Sequence, residues 1–332
     1  MPPETLEFEE PINVLQKEIE ELGAQPPTPA RDAEIASLRR RVDQIRQEIF
    51  SRLTAWQRVL VARHPNRPLM LDYVERLIAD FTEIHGDRRF GDDEAIVTGF
   101  GWFRERTVLV VGHQKGRDTK QKVRRNFGYA RPEGYRKALR AMRLAEKFGR
   151  PILVFVDTPA AYPGVESEER GISEAIALNL REMAVLRAPV VVIVTGEGGS
   201  GGALGLAVGD RILMQQYAVY SVIPPEGCAA ILWRDAARKV EAAEALKIAP
   251  ADLLARGVID EIVAEPLGGA HNDPDEASAL VGAALDRALI DVASLSEAER
   301  LERRYQKFRS IGRLGTEFTD DEAASSAPQS ES

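Results

Sequence analysis

An α/β domain with parallel strand pairing is the fold class that this sequence predicts, and three observations carry it. From about residue 95, strand-like apolar runs alternate with helix-like stretches. One run, Pro189 to Thr195, stops at Gly196-Glu197-Gly198-Gly199-Ser200-Gly201-Gly202-Ala203-Leu204-Gly205, and the small-residue run Ala203 to Val208 starts there. The strand–loop–helix units at 151–187 and 189–209 also share one plan.

Taken in order, residues 11–22 read as a short amphipathic helix, broken by Gln25-Pro26-Pro27-Thr28-Pro29. A longer helix is predicted to carry Ile35, Leu38, Val42, Ile45, Ile49, Leu53, Trp56 and Leu60, spaced by three or four. That single apolar stripe suits packing on its own domain or, slightly better, a subunit contact. Arg63-His64-Pro65-Asn66-Arg67-Pro68 ends this arm, and a helix is expected over Leu71 to Ile84. Ala95 to Gly101 and Thr107 to Gly112 read as two strands around a turn. Pro151 to Asp157 is a strand, Ser173 to Leu186 a helix and Val190 to Thr195 a strand. Arg211 to Ile223 holds one or two strands, with helices at about 226–234 and 237–247. Ala251 to Arg256 is a short helix capped by Gly257, before the strand Val258 to Val263. Residues 275–310 are helical again. The expected division is a helical arm over 1–68, one α/β domain over 69–310, and a disordered acidic tail over 311–332.

Composition narrows the function. The 332 residues are 44% hydrophobic and 29% charged, as in globular chains, with a formal charge of −8. That balance argues against a global nucleic-acid footprint. Cys228 is the one cysteine, so an intrachain disulfide and a multi-cysteine zinc site are excluded. His64, His85, His113 and His271 lack a ligand spacing such as HExxH. No metal is expected in this chain. The acidic N-terminus has no signal-peptide core and no apolar run reaches about 20 residues, so the cytoplasm is the expected location.

The glycine run points to chemistry done by the main chain. A strand, a glycine turn and a helix start present bare N–H groups at the positive end of a helix, where a negative oxygen binds. Gly198 and Gly199 are expected in the turn with positive φ. Gly201 and Gly202 open the helix, so their N–H groups are the expected oxyanion donors. The same run fits GxGxxG, but no acidic residue ends the next strand to hold a ribose. The loop Asp157-Thr158-Pro159-Ala160-Ala161-Tyr162-Pro163-Gly164 lies where α/β proteins build sites, and is expected to wall the same pocket. Pro224-Pro225-Glu226-Gly227-Cys228 starts a helix beside it, with Cys228 read as a small buried thiol. Residues 115–143 are strongly basic. Their C-terminal part suits a solvated helix face, whereas Lys115 and Arg117 are candidates to meet phosphates of a nucleotide, of coenzyme A or of nucleic acid. Gly-Lys and Met-Lys dipeptides are missing, so neither a phosphate loop nor a Met-Lys biotin-attachment site is present.

These residues resemble a known family. Gly112-His113-Gln114-Lys115-Gly116-Arg117, Arg124 to Gly128, Pro132 to Ala138, Asp157 to Gly164, Glu168 to Gly171, Gly196 to Leu204, Tyr220 to Trp233 and Glu265 to His271 match the α subunit of bacterial acetyl-coenzyme A carboxylase carboxyltransferase. One departure is Ala160, where the family usually has glycine. The resemblance implies a crotonase-like ββα spiral and transfer of a carboxyl group from carboxybiotin, on a separate carrier protein, to acetyl-coenzyme A, giving malonyl-coenzyme A for fatty-acid synthesis. It implies Gly201 and Gly202 as donors to the biotin ureido oxygen. Gly198, Gly199, Tyr162, Pro163, Gly164, Glu226, Gly227, Lys115 and Arg117 are the expected substrate-binding set. The implied partners are a zinc-bearing β subunit in an α2β2 assembly, the biotin carboxyl carrier protein and biotin carboxylase. Two other readings compete. One is a stand-alone crotonase-type hydratase or hydrolase using Glu197 or Glu226. The other is a nucleic-acid binder using residues 115–143, disfavoured by the acidic total and the few aromatic side chains there.

Overall fold

The computed structural model describes residues 6–312. Helix α1 (Glu10–Gly23) is followed, after the proline-rich break, by α2 (Pro29–Ser51). The predicted long helix does not run on to Leu60. It stops at Ser51, and α3 (Ala55–Ala62) starts afresh. Thr54 Oγ1 accepts the Gln57 N–H at 3.2 Å and Gln57 Oε1 accepts the Thr54 N–H at 2.9 Å. This capping box was legible in the sequence and was outweighed by the continuous apolar spacing. α1 packs along α2, and the chain itself covers much of the stripe: Val42 and Leu53 are buried, and Ile35, Leu38, Ile45 and Ile49 half-buried.

The helix expected over Leu71 to Ile84 is also cut short. α4 (Met70–Leu77) gives way to strand β1 (Ile78–Glu83), which pairs antiparallel with β2 (Ile96–Phe103). A register shift between Ala79 and Thr82, with Asp80 at φ 49°, hides the alternation that marks a strand. β3 (Arg106–His113) closes a hairpin on β2. There follow α5 (Thr119–Arg124), α6 (Pro132–Lys147), β4 (Ile152–Thr158), α7 (Val165–Glu169), α8 (Ile172–Val185) and β5 (Val190–Gly199). Then come α9 (Ser200–Leu204), β6 (Arg211–Gln215), β7 (Val219–Ser221), α10 (Pro225–Trp233), α11 (Lys239–Leu246) and α12 (Pro250–Ala255). The last elements are β8 (Glu261–Val263), shorter than predicted, α13 (Pro274–Ala293) and α14 (Glu297–Ser310). Residues 313–332, most of the predicted tail, lie outside the described residues.

One sheet runs in the order β1-β2-β3-β4-β5-β6-β8, and β7 pairs with the far end of β5. From β3 onward the pairs are parallel. β4 and β5 are buried throughout, because helices cover both faces. Ile152, Val154, Val190 and Val192 enter one core with α6 and α8, and Leu153, Phe155, Val191 and Ile193 enter the other with α4 and α13. This period-two division sets the C-terminal ends of β3, β4 and β5 side by side, which is where the candidate site lies.

Candidate active site

β5 continues through the first glycines. Glu197, Gly198 and Gly199 pair with Val219, Tyr220 and Ser221 of β7. Gly198 and Gly199 therefore do not form a turn, and Gly199 is extended at φ −98° and ψ 124°. Their glycine identity has a steric cause instead. A Cβ on Gly199 would lie 1.8 Å from the Pro159 carbonyl oxygen, and one on Gly198 would lie 2.7 Å from the Tyr220 ring. The positive φ falls on Ser200, at 54°, where the chain turns into α9.

Gly201 and Gly202 lie in the first turn of α9, as predicted. Among the described residues, neither N–H donates a hydrogen bond outside that helix. The two glycines differ in surroundings. A Cβ on Gly201 would meet only the Ile176 side chain, at 3.7 Å. One on Gly202 would lie 2.4 Å from the Ala160–Ala161 peptide, so the Asp157–Gly164 loop closes against the helix start. Ala160 fits this packing with its own Cβ in place. Tyr135 Oη donates to the Gly202 carbonyl at 3.1 Å, and Asn179 Nδ2 to the Gly205 carbonyl at 3.1 Å, holding the far end of α9. His113 is fully buried near the Gly202 and Phe155 backbone, and neither ring nitrogen has a hydrogen-bond partner among the described residues. Burial and the nearby Lys115 charge lower its pKa to about 3, so it is neutral.

The charged residues form an internal network. Lys115 Nζ lies 2.7 Å from Asp157 Oδ1 and 3.2 Å from Glu197 Oε2. Arg63, at the end of α3, places Nε 2.7 Å from Glu197 Oε1 and a terminal nitrogen 2.6 Å from Glu226 Oε1. The Glu197 N–H donates to Asp157 Oδ1 at 2.9 Å. Burial opposes the Glu197 charge, yet Lys115 and Arg63 overcome it and hold its pKa below the ordinary value. An ionised, doubly paired Glu197 is no ready acid for a hydratase, and Glu226 is engaged as well. Lys115 is thus committed to two carboxylates rather than open to a ligand anion, and Arg117 pairs with Asp72.

The remaining basic run is largely neutralised inside the chain. Arg124 pairs with Glu94, Arg136 with Glu174, Lys137 with Asp92 and Arg143 with Glu182. Lys137 is fully buried, so it adds nothing to a cationic face. Tyr162 stacks under the Arg131 guanidinium at 5.1 Å and fills the space beside Gly164, while Pro163 is exposed. Gly227 is half-buried, immediately before the buried Cys228.

Sequence reasoning missed the hexapeptide 63–68. Arg67 is buried and pairs with Glu265 at 2.7 Å, while its Nε donates to the Thr195 carbonyl at 2.6 Å. His64 stacks on His271 at 3.9 Å, and Glu9 lies 3.7 Å from His271 Nε2. These three potential ligands come from distant parts of the chain, so no spacing announced them. His64 Nδ1 accepts the Asn66 N–H at 3.2 Å.

A family model described as acetyl co-enzyme A carboxylase carboxyltransferase-like matches residues 5–312. The chain belongs to this carboxyltransferase family. It is 55% identical over 310 residues to the acetyl-coenzyme A carboxylase carboxyl transferase subunit alpha of Geobacter metallireducens, covering 93% of this chain and 98% of that one. The same subunit of Geobacter sulfurreducens is 57% identical over 275 residues, covering 83% and 86%. Among solved structures, the transcarboxylase 12S hexamer with methylmalonyl-coenzyme A matches with a TM-score of 0.56 at 21% identity, covering 68% of this chain and 41% of that one. A Pseudomonas malonate decarboxylase hetero-tetramer in complex with coenzyme A matches with a TM-score of 0.55 at 17% identity, covering 67% and 89%. These likenesses establish the mixed α/β carboxyltransferase and crotonase-like fold. The resemblance read from the motifs is borne out: the chain is a carboxyltransferase α subunit of acetyl-coenzyme A carboxylase. Among the described residues, no helix is long and apolar enough to cross a membrane.

Proposed function

We propose that this chain supplies a main-chain oxyanion hole, Gly201 and Gly202, for carboxyl transfer from carboxybiotin on a carrier protein to acetyl-coenzyme A. The observation that carries this reading is the pair of N–H groups at the start of α9, unclaimed outside their own helix. Neutral amide donors suit a ureido oxygen that gains charge as its carboxyl group departs, and preorganised donors need no reorganisation at that moment. Carboxybiotin, when bound, supplies the carboxyl group and, once it is released, the base for acetyl-coenzyme A. The chain's own part is to hold the oxygen, to fix the 157–164 loop against Gly202, and to keep Glu197 ionised and occupied so that it takes no part as acid or base.

The acetyl-coenzyme A site needs a second chain. We infer a β subunit that carries the zinc and completes an α2β2 assembly, with biotin carboxylase and the biotin carrier as separate partners. The arm over 1–68 and the α/β domain from 69 onward act together, since Arg63 and Arg67 of the arm hold the strand that leads to the glycines. The test is reconstitution. The purified chain alone is expected to form no malonyl-coenzyme A from carboxybiotin and acetyl-coenzyme A, and to do so once a β subunit is added. Full activity from the isolated chain would sink the proposal.

A further inference from the structure

We propose that Arg63 is a positioning residue for carboxyl transfer, tying the helical arm to the oxyanion strand; this rests on the reading above. Arg63 ends α3, and its guanidinium spans two segments of the site. One arm of the fork meets Glu197, between Gly196 and Gly198 on β5, and the other meets Glu226 in the first turn of α10. Four residues on, Arg67 grips the same strand through the Thr195 carbonyl. The two arginines therefore bracket Gly196, just before the chain turns into α9. The strand is held from the opposite side by Asp157, which accepts the Glu197 N–H and would clash at 2.4 Å with any Cβ on Gly196.

Glu197 is thus fixed by its backbone on Asp157 and by its side chain between Lys115 and Arg63. Arg63 and Glu197 also form the shared wall of two spaces. One is a cavity of about 420 Å³ that reaches Lys122, Phe127 and Tyr129, and the other a small crevice beside Gly198 and Gly199. No bulky side chain braces the Gly198–Gly202 segment from within, because its residues are glycines and one serine. Its rigidity has to come from neighbours, and Arg63 is one of two such neighbours that the arm supplies. Arg63 keeps 29% of its side chain exposed, so its replacement is tolerable to the fold in a way that replacement of buried Arg67 is not.

The experiment uses the chain assembled with its β subunit. Misplacement on the ångström scale costs up to about a hundredfold in rate. Slack in one of several supports is therefore expected to cost roughly tenfold in kcat for Arg63→Gln, with KM for acetyl-coenzyme A changed less than about twofold. Arg63→Lys should restore part of the loss. Arg63→Gln combined with Glu197→Gln should cost less than the two single losses combined, because the two variants share the Arg63–Glu197 link. Arg181→Gln, which breaks only the exposed Arg181–Glu182 pair, is the control and should keep full activity. Hydrogen exchange gives a readout independent of turnover: amides of 196–204 should exchange faster in Arg63→Gln. An assembled Arg63→Gln variant with wild-type kcat and unchanged exchange would overturn the proposal. If that variant does not assemble, Glu197→Gln and Arg63→Lys are read in the same two assays, and wild-type values in both would overturn it equally. A wild-type complex that transfers no carboxyl group would instead defeat the functional reading, while the exchange result would still judge the tie.

Discussion

The glycine run 196–202 and the hexapeptide 63–68 meet at one strand and are built by opposite means. In the first, side chains are removed so that backbones approach: Gly199 sits against Pro159, and Gly202 against the Ala160–Ala161 peptide. In the second, the side chains reach outward. Arg63 pairs with Glu197 and Glu226, His64 stacks on His271, and Arg67 pairs with Glu265. The difference teaches how a main-chain site is made rigid. Backbone donors without side chains have no packing of their own, and the charged hexapeptide supplies it from outside.

The largest expected effect tests the hexapeptide. Arg67→Met leaves Glu265 buried and unpaired, although the Tyr217 and Ala270 N–H groups still donate to it. Breaking a buried pair in this way costs about 3–5 kcal/mol. Denaturant unfolding should show a loss of that size, and Glu265→Gln in the same chain should recover part of it. Unchanged stability in Arg67→Met would remove the contrast between the two regions.

Next comes the glycine side. Gly202→Val places a branched side chain where a single Cβ is already 2.4 Å from the loop backbone. Loss of one oxyanion donor typically costs ~3 kcal/mol, about a hundredfold in rate. Carboxyl transfer by the assembled Gly202→Val variant should fall on that order, while biotin carboxylation on other chains is untouched. Gly201→Ala should be much milder, since its Cβ meets only Ile176 at an ordinary contact distance. Equal rates for wild type and Gly202→Val, in assembled protein, would refute the oxyanion role.

How much of this was legible follows from the kind of force involved. The strand–glycine–helix unit and the parallel pairing of the α/β domain were readable, because apolar runs and glycine punctuation are local signals. The helix start at Gly201 and Gly202 was readable for the same reason. The turn assigned to Gly198 and Gly199 failed because pairing with β7, 22 residues on, extends β5 through them. Lys115 was read as an open cation because its partners, Asp157 and Glu197, are 42 and 82 positions away. The whole role of 63–68 was hidden likewise, since Arg67 reaches a carboxylate 198 positions distant. A local signal did exist for the break before α3, the Thr54 and Gln57 capping box.

The smallest expected effect concerns the buried imidazole beneath the glycines. His113 is fully buried at the end of β3, and burial with the Lys115 charge lowers its pKa from the ordinary 6.5 to about 3. An unfolded chain takes up a proton there as pH falls through 6.5, whereas the folded chain does not until about pH 3. The folded state therefore has its full stability above pH 6.5 and loses it as pH falls toward 3, by about 1.4 kcal/mol per unit. Carboxylates held below their ordinary values, such as Glu197, add to the loss only below about pH 4.5. Over the window from pH 6.5 to 5 His113 should contribute a drop of about 2 kcal/mol, read in urea unfolding as the difference between the wild-type and His113→Asn profiles. His113→Asn is expected to be less stable at pH 7 but to show a nearly flat profile over that window. The same slope in His113→Asn would assign the acid sensitivity elsewhere. It would leave the glycine site with no titratable support from below, making its contrast with the charged hexapeptide sharper still.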